Sequence, residues 1–555
     1  MPENPEVAKA GSLADVLMRR ALAQTTRGES RRAQRLGRLL DDPAGRELLF
    51  TLTDEVLRTD DDARAVGRLR RLAAGGIPDS FGPLDRAGLR LAARCGALLP
   101  HAVAPVVRAR VKAETRGVIL PAGDPAFARH VARRRRAGVE CNVNLLGEAI
   151  LGDDEADTRL DAVCSRLRRP DVHCVSVKVS ALCANLDVLA FDHSVQRVVE
   201  RLQRVYRIAA SATPPKLVYL DMEEYRDLHL TVVAFRTVLD QPEFRSLSGG
   251  IALQAYLPDS FAVLDELCEW AAARRAAGGA PARVRIVKGA NLAMEQVEAE
   301  LMGWAQAPYA TKADVDAHYK RMLERALAAA AHGDLHVGVA SHNLFDIAWA
   351  LVLRENLGLT NDTVEIEMLE GMAPAQARAV REAAGALLLY TPVVDDTEFA
   401  AAIAYLSRRL DENAAEENFL RALFSITPES PRWRDERTRF EAAVEARHAV
   451  STLPRRRQDR RNERRAFDPE APFANEPDTD FTLPANRQWI AHHLDADVPA
   501  ALPPLLVHTD DIDAAVERAK QAARHWAATP TTERRRVLTR VAEVMAAERG
   551  RTIAV

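Results

Sequence analysis

Between Gly138 and Val394 the chain alternates short runs of β-branched and aliphatic residues with longer stretches whose apolar positions recur every three or four residues. The first spacing is that of a strand and the second that of an amphipathic helix. Eight runs follow one another: VECNVNLLGE around Val143, CVSVKVSAL around Val177, KLVYLDME around Val218, GIALQAYL around Leu253, RVRIVKGA around Ile286, LHVGVASHN around Val339, VEIEMLEGM around Ile366 and LLLYTPVV around Leu389. Most gaps have room for one crossover helix with its loops, which makes neighbouring strands parallel. Eight strand-helix repeats predict closure, so the expected fold is α/β, a (βα)8 TIM-like barrel over residues 136–430.

The flanks follow other patterns. Over 1–135, Leu, Ala and Val at helical spacing among many charges predict a helical arm and α-domain, with short breaks such as GGIPDSFGP. After the eighth run, DTEFAAAIAYLSRRLDENAAEENFLRALF is strongly helical. Residues 431–472, which include PRRRQDRRNERR at 454–465, are expected to form a solvated, charged linker rather than a phosphate-binding patch. FANEPDTDFTLPANRQWIAHHL is expected to be extended and polar, with helices following at about 511–528 and 531–549.

Composition narrows the function by exclusion. Acidic and basic residues nearly cancel, 79 against 76, so no whole-molecule field would recruit nucleic acid or an acidic membrane. The six cysteines include no CxxC pair, which argues for reduced thiols and against disulfides or a zinc site. The N-terminus lacks a basic region followed by an apolar one, and no uncharged apolar stretch is long enough for a membrane helix. A cytoplasmic protein is expected, at most peripheral to the inner face of the cell membrane.

In a barrel of this kind the chemistry sits at the C-terminal ends of the strands. Polar residues at those ends are Glu148, Lys178, Asp221, Gln254, Arg285, Lys288, His342, Asn343, Glu370 and Tyr390. Lys178 lies between two valines, where an ammonium needs an anion or a water-filled cavity. Asp221 could equally cap a helix, and His342 and Asn343 could be turn residues. On the helix after the eighth run, Tyr405, Arg408, Arg409 and Glu412 share one face. That face is either an exposed salt-bridged surface or a grip on a small carboxylate, two guanidiniums binding it while the ring covers its apolar part.

Taken together, NVNLLGEA, VSVKVSAL, YLDMEEY, ALQAYLPD, RIVKGA, ASHN, EMLEGM and YLSRRLDEN resemble the proline dehydrogenase domain of the bifunctional proline utilisation A flavoenzymes, over roughly 138–420. The resemblance implies FAD-dependent oxidation of L-proline to Δ1-pyrroline-5-carboxylate by hydride transfer to flavin N5, the first step of proline catabolism to glutamate. It implies that Lys178, Arg408 and Arg409 bind the carboxylate, that Asp221, Tyr390, Tyr405 and Leu369 enclose the ring, and that Glu148 pairs with the first arginine to close the site. It assigns Asp221, Gln254, Arg285, Lys288, Gly289, Ala290, His342, Asn343, Arg409 and Glu412 to FAD. It further implies a quinone acceptor at a membrane surface and leaves a homo-oligomer open. Asn291 and Leu292 replace the aromatic many family members carry after KGA, which alters one wall near the flavin.

Residues 473–555 resemble the opening of the glutamate semialdehyde dehydrogenase half of the same enzymes. That chemistry needs a thiolate, and no cysteine follows Cys268, so the second activity is expected to be absent from this chain. Two rivals differ in kind. A Schiff-base aldolase would use Lys178 or Lys288 as nucleophile, and a non-catalytic scaffold would use the Arg-rich segment to contact nucleic acid.

Overall fold

The computed structural model describes residues 5–57, 59, 61–115, 118–147, 150–394, 405, 419, 426–463, 472, 474–495 and 505–554. All eight expected strands form, preceded by a two-residue strand. They are β1 (Leu120–Pro121), β2 (Val139–Leu145), β3 (Cys174–Lys178), β4 (Leu217–Asp221), β5 (Gly250–Gln254), β6 (Ala282–Val287), β7 (Leu335–Ala340), β8 (Val364–Leu369) and β9 (Leu387–Val394). Strands β2 to β9 pair in sequence order and in parallel, and β9 pairs back with β2, Val139 opposite Leu387 through Leu145 opposite Val393. The ring is therefore a closed eight-stranded parallel barrel. β1 lies alongside the end of β9, with Leu120 opposite Val393.

Strand alternation divides two kinds of interior. One set of positions, including Val337 and Val339 of β7 and Ile366 and Met368 of β8, joins the apolar core shared with the surrounding helices. Each such side chain contributes about 1.5–3 kcal/mol by leaving water. The intervening positions face the barrel axis and are largely polar: Asn142, Ser176, Tyr219, Arg285 and Glu367 are all buried. Buried polar groups at this density hold only if they satisfy one another.

Helices α1 (Pro5–Gln24), α2 (Asp124–Arg136), α3 (Lys312–Ala331), α4 (Leu344–Asn356) and α5 (Pro431–Ala446) surround this part of the chain. Ala10, Ala14, Leu17 and Met18 of α1 belong to the barrel's apolar core, and helices between Arg27 and Thr115 build small cores of their own. Among the described residues no helix is long and apolar enough to cross a membrane.

The chain divides into two compact units, Met1–Ala293 with Ala307–Pro454, and Met294–Gln306 with Arg455–Val555. Two expectations about the C-terminal part are corrected. The segment around 454–465 is not simply solvated: Arg456 and Arg460 are buried. Arg456 stacks 4.7 Å over Trp304 and donates to the Ala305 carbonyl, while Arg460 donates to the Pro477 carbonyl at 2.6 Å and to Glu476 at 2.9 Å. Guanidinium groups can be buried when their donors are used in this way. The stretch expected to be extended contains a helix, Pro484–Leu494. Proline opens it, and Asn486, Trp489 and Ile490 are buried along its inner face. Farther on, helices Thr509–Ala528 and Thr531–Ala547 form where the periodicity places them. The region 431–472 opens with α5, whose Trp433 and Phe440 pack on Phe345 at ring separations of 4.6 and 5.6 Å.

Candidate active site

The C-terminal ends of the barrel strands bring together a connected set of side chains. At its centre is Arg285 near the end of β6, whose side chain is 4% exposed. Its Nε donates to Glu367 Oε2 at 2.6 Å, and Nη1 donates to Asp221 Oδ1 at 2.9 Å and to Ser176 Oγ at 3.3 Å. The guanidinium lies 3.9 Å over the ring of Tyr219. These partners come from β3, β4 and β8 across the barrel, which fixes the direction of the arginine. Burial alone would lower the pKa of Arg285, but Glu367 and Asp221 outweigh it and hold the group charged.

Tyr390 of β9 extends the network by donating to Asp221 Oδ2 at 2.7 Å, and its own oxygen accepts from Asn144 Nδ2. Burial, then the Asp221 charge, raises its phenol well above the ordinary value, so Tyr390 is a neutral donor. Asp221 is thus not a helix cap: both its oxygens are taken by Arg285 and Tyr390. Leu369 ends β8 beside them, and its N–H donates to His342 Nε2 at 2.9 Å. An accepting Nε2 puts the hydrogen of a neutral imidazole on Nδ1.

Lys178, at the end of β3, finds its anion in Glu223, 2.5 Å away, whose other oxygen accepts from Ser180. Gln254 donates to the carbonyls of Met222 and Glu223 at 2.8 and 3.0 Å, and Asn291 donates to the Glu223 carbonyl at 2.8 Å.

Lys288 belongs to a separate ionic cluster. Its ammonium sits 2.5 Å from Asp316 and 2.8 Å from Asp346, and Lys312 and the buried Lys320 complete the set on the outer sides. Burial opposes the charge on Lys288, but the two carboxylates raise its pKa; the lysines in turn hold Asp346 low against its own burial. Gly289, at φ +127°, follows directly, and a Cβ there would lie 2.5 Å from the Tyr256 ring. Ala290 is exposed beside it. Asn343 accepts from Phe345 N at 2.9 Å and so caps α4, the structural role open to it from sequence.

Glu370 turns away from this mouth. It is buried under α2, accepting from His130 at 3.2 Å and from Arg134 Nε at 3.0 Å. Cys141 completes a group of three with metal-ligand atom types, but Arg134 takes both Glu370 oxygens. Burial, then the Glu370 charge, pushes the Cys141 thiol up to about 12. Tyr405 is buried against Ile119 and Val394, whereas Glu148, Arg408, Arg409 and Glu412 lie outside the described residues.

Sequence reasoning missed Glu367, Tyr219, Asn144, Glu223, Asp316 and Asp346. The alternating acids of VEIEML and alternating arginines of RVRIV were the available signal, because period-two charges in two strands of one barrel face the same axis.

A closed parallel barrel whose strand ends carry an interlocked ionic network has the architecture of a barrel enzyme. Comparison with known proteins specifies which. A family model described as proline dehydrogenase matches residues 127–422, and the chain belongs to that family. A model of the aldehyde dehydrogenase family matches residues 503–555. The bifunctional protein PutA of Klebsiella aerogenes is 26% identical over 261 residues, 46% of this chain and 19% of that protein. The chain thus spans about a fifth of the length of the curated relatives it matches. Among solved structures, proline utilization A from Corynebacterium freiburgense is 39% identical, with 72% of this chain and 38% of that one covered and a TM-score of 0.62. The Bdellovibrio bacteriovorus protein inactivated by N-propargylglycine shares the fold at 23% identity and a TM-score of 0.70, covering 88% of this chain and 48% of its own.

Proposed function

We propose that this chain oxidises L-proline to Δ1-pyrroline-5-carboxylate with FAD as its cofactor. The observation that carries the reading is the Asp221–Arg285–Glu367–Tyr390 network at the mouth of a barrel of the proline dehydrogenase family. In the reaction the ring carbon beside nitrogen loses a hydride, the nitrogen loses a proton, and the bond between them becomes double. FAD, when bound, supplies the two-electron acceptor for that hydride; a quinone at a membrane surface is the onward acceptor that family resemblance favours.

The residues present fit a flavin. Arg285 Nη2 and Gln254 Oε1 are buried at the mouth without a hydrogen-bond partner among the described residues, a donor and an acceptor of the kind an isoalloxazine edge needs. Gly289 and Ala290 are exposed just past β6 beside Lys288, and the family pattern assigns all three to the same cofactor. Asp221, His342, Asn343, Arg409 and Glu412 are assigned to the same cofactor by the family pattern. Toward the substrate, Lys178 with Arg408 and Arg409 fixes the carboxylate, Tyr390, Tyr405, Leu369 and Asp221 close around the ring, and Glu148 pairs with Arg408 over it. Held in this way, the substrate needs little further ordering before reaction.

For Lys288 the aldolase alternative is disfavoured by its ion pairs. A Schiff-base lysine must be a neutral amine, whereas Lys288 is kept charged by Asp316 and Asp346.

The test is the visible absorption spectrum of the purified chain before and after anaerobic addition of L-proline. A flavin band that bleaches with proline is the expected result. Bound flavin indifferent to proline would refute the substrate, and failure to bind FAD on supplementation would refute the cofactor.

A further inference from the structure

We infer that Glu223 is an internal rival for the ammonium that receives the substrate carboxylate, presented to Lys178 by a loop that Gln254 and Asn291 hold in place. The inference rests on the proline dehydrogenase reading and adds to it a residue that sets substrate affinity.

Lys178 and Glu223 approach to 2.5 Å while both side chains stay partly open, 31% and 21% exposed. The pair therefore lies where a small solute can reach it. Glu223 is not swinging freely. Ser180 holds its second oxygen, Gln254 grips the carbonyls of Met222 and Glu223, and Asn291 grips the Glu223 carbonyl again. Two amide side chains gripping one short turn fix where the carboxylate stands.

A carboxylate ligand arriving at Lys178 must share or displace Glu223. Two effects then act in one direction. The free state loses part of a formed ion pair, and the bound state places two like charges beside one ammonium. Removing the charge of Glu223 while keeping its shape should tighten binding of an anionic ligand. Glu223→Gln does so, because its amide carbonyl still accepts from Lys178 and keeps the ammonium oriented.

The experiment uses the FAD-loaded full chain and two unreactive probes, cyclopentanecarboxylate and its neutral amide, titrated calorimetrically. For Glu223→Gln, Kd for the carboxylate is expected to fall about fivefold to tenfold while Kd for the amide stays within twofold. Asn291→Ala, which releases the loop without touching the ion pair, should move the carboxylate Kd the same way by a smaller factor and serves if Glu223→Gln fails to fold. Unchanged or weaker carboxylate binding in the folded variants overturns the inference, as does equal tightening of acid and amide. Failure of the underlying reading would show separately, as no bleaching of the unaltered chain's flavin by L-proline.

Discussion

Gly338 on β7 offers the sharpest test of how the barrel interior is held. A Cβ placed there would overlap Glu367 Oε1 and lie 3.1 Å from its carboxyl carbon, whereas its 3.4 Å separation from the Arg285 Cα is ordinary contact. Gly338→Ala therefore displaces the Glu367 carboxylate, whose other oxygen, Oε2, accepts from Arg285 Nε at 2.6 Å, and the expected result is a strained or broken pair. Both side chains are at most 4% exposed, so neither can turn to water. Separating a buried charge pair costs about 3–5 kcal/mol. The smaller entropy of the unfolded alanine chain returns about 0.4–1 kcal/mol. The net expectation is a loss of about 2–4.6 kcal/mol, read from urea unfolding followed by circular dichroism, together with reduced FAD retention. A double-mutant cycle isolates the cause. On a Glu367→Ala background the carboxylate is gone, and the same glycine substitution should cost less than about 0.5 kcal/mol. An equal cost on both backgrounds, or a loss below about 1 kcal/mol in the unaltered chain, would refute the reasoning.

Further expectations concern ionisation and the mouth of the barrel. Burial, then the neighbouring Glu367 charge, raises the Glu365 carboxyl to about 7, with Arg283 opposing at 3.7 Å. The folded chain then holds a proton that the unfolded chain has released, so stability should fall as pH rises from about 4.5 to about 7. Glu365→Gln should flatten that slope in urea midpoints measured from pH 5 to 8, and an unchanged slope would exclude Glu365 as its source. Tyr390→Phe removes the donor to Asp221 Oδ2 and should lower kcat/KM for L-proline about tenfold while the circular dichroism spectrum is retained. A variant with undiminished turnover would show that the phenol serves packing alone.

The barrel was legible because its strands carry apolar residues on the face that meets the helices, and that face sets the periodicity. Lys178, Asp221, Arg285 and Tyr390 were legible for the complementary reason, as polar groups where an apolar run should have continued. Glu367 lies as near the end of its strand as Arg285 does, and it escaped notice because its meaning depends on Arg285 from a strand two positions away in the ring. Glu223 escaped because it follows the strand and reads as one of several loop acids, distinguished only by where Gln254 and Asn291 hold its backbone. The burial of Arg456 and Arg460 could not be read from a run of like charges, since their partners lie well away in sequence, at Trp304 and at Glu476 and Pro477.

The polar lining of the barrel has a consequence for how such a chain can diverge. An apolar position on the helix-facing side can drift through residues of similar volume one at a time. Along the axis, Arg285 cannot change without stranding Glu367 and Asp221, nor Glu367 without stranding Arg285, and Gly338 is bound to Glu367 by space. Substitutions there are accepted as sets or not at all, so the axis should carry correlated residues in descendants of this sequence while the outer layer varies site by site.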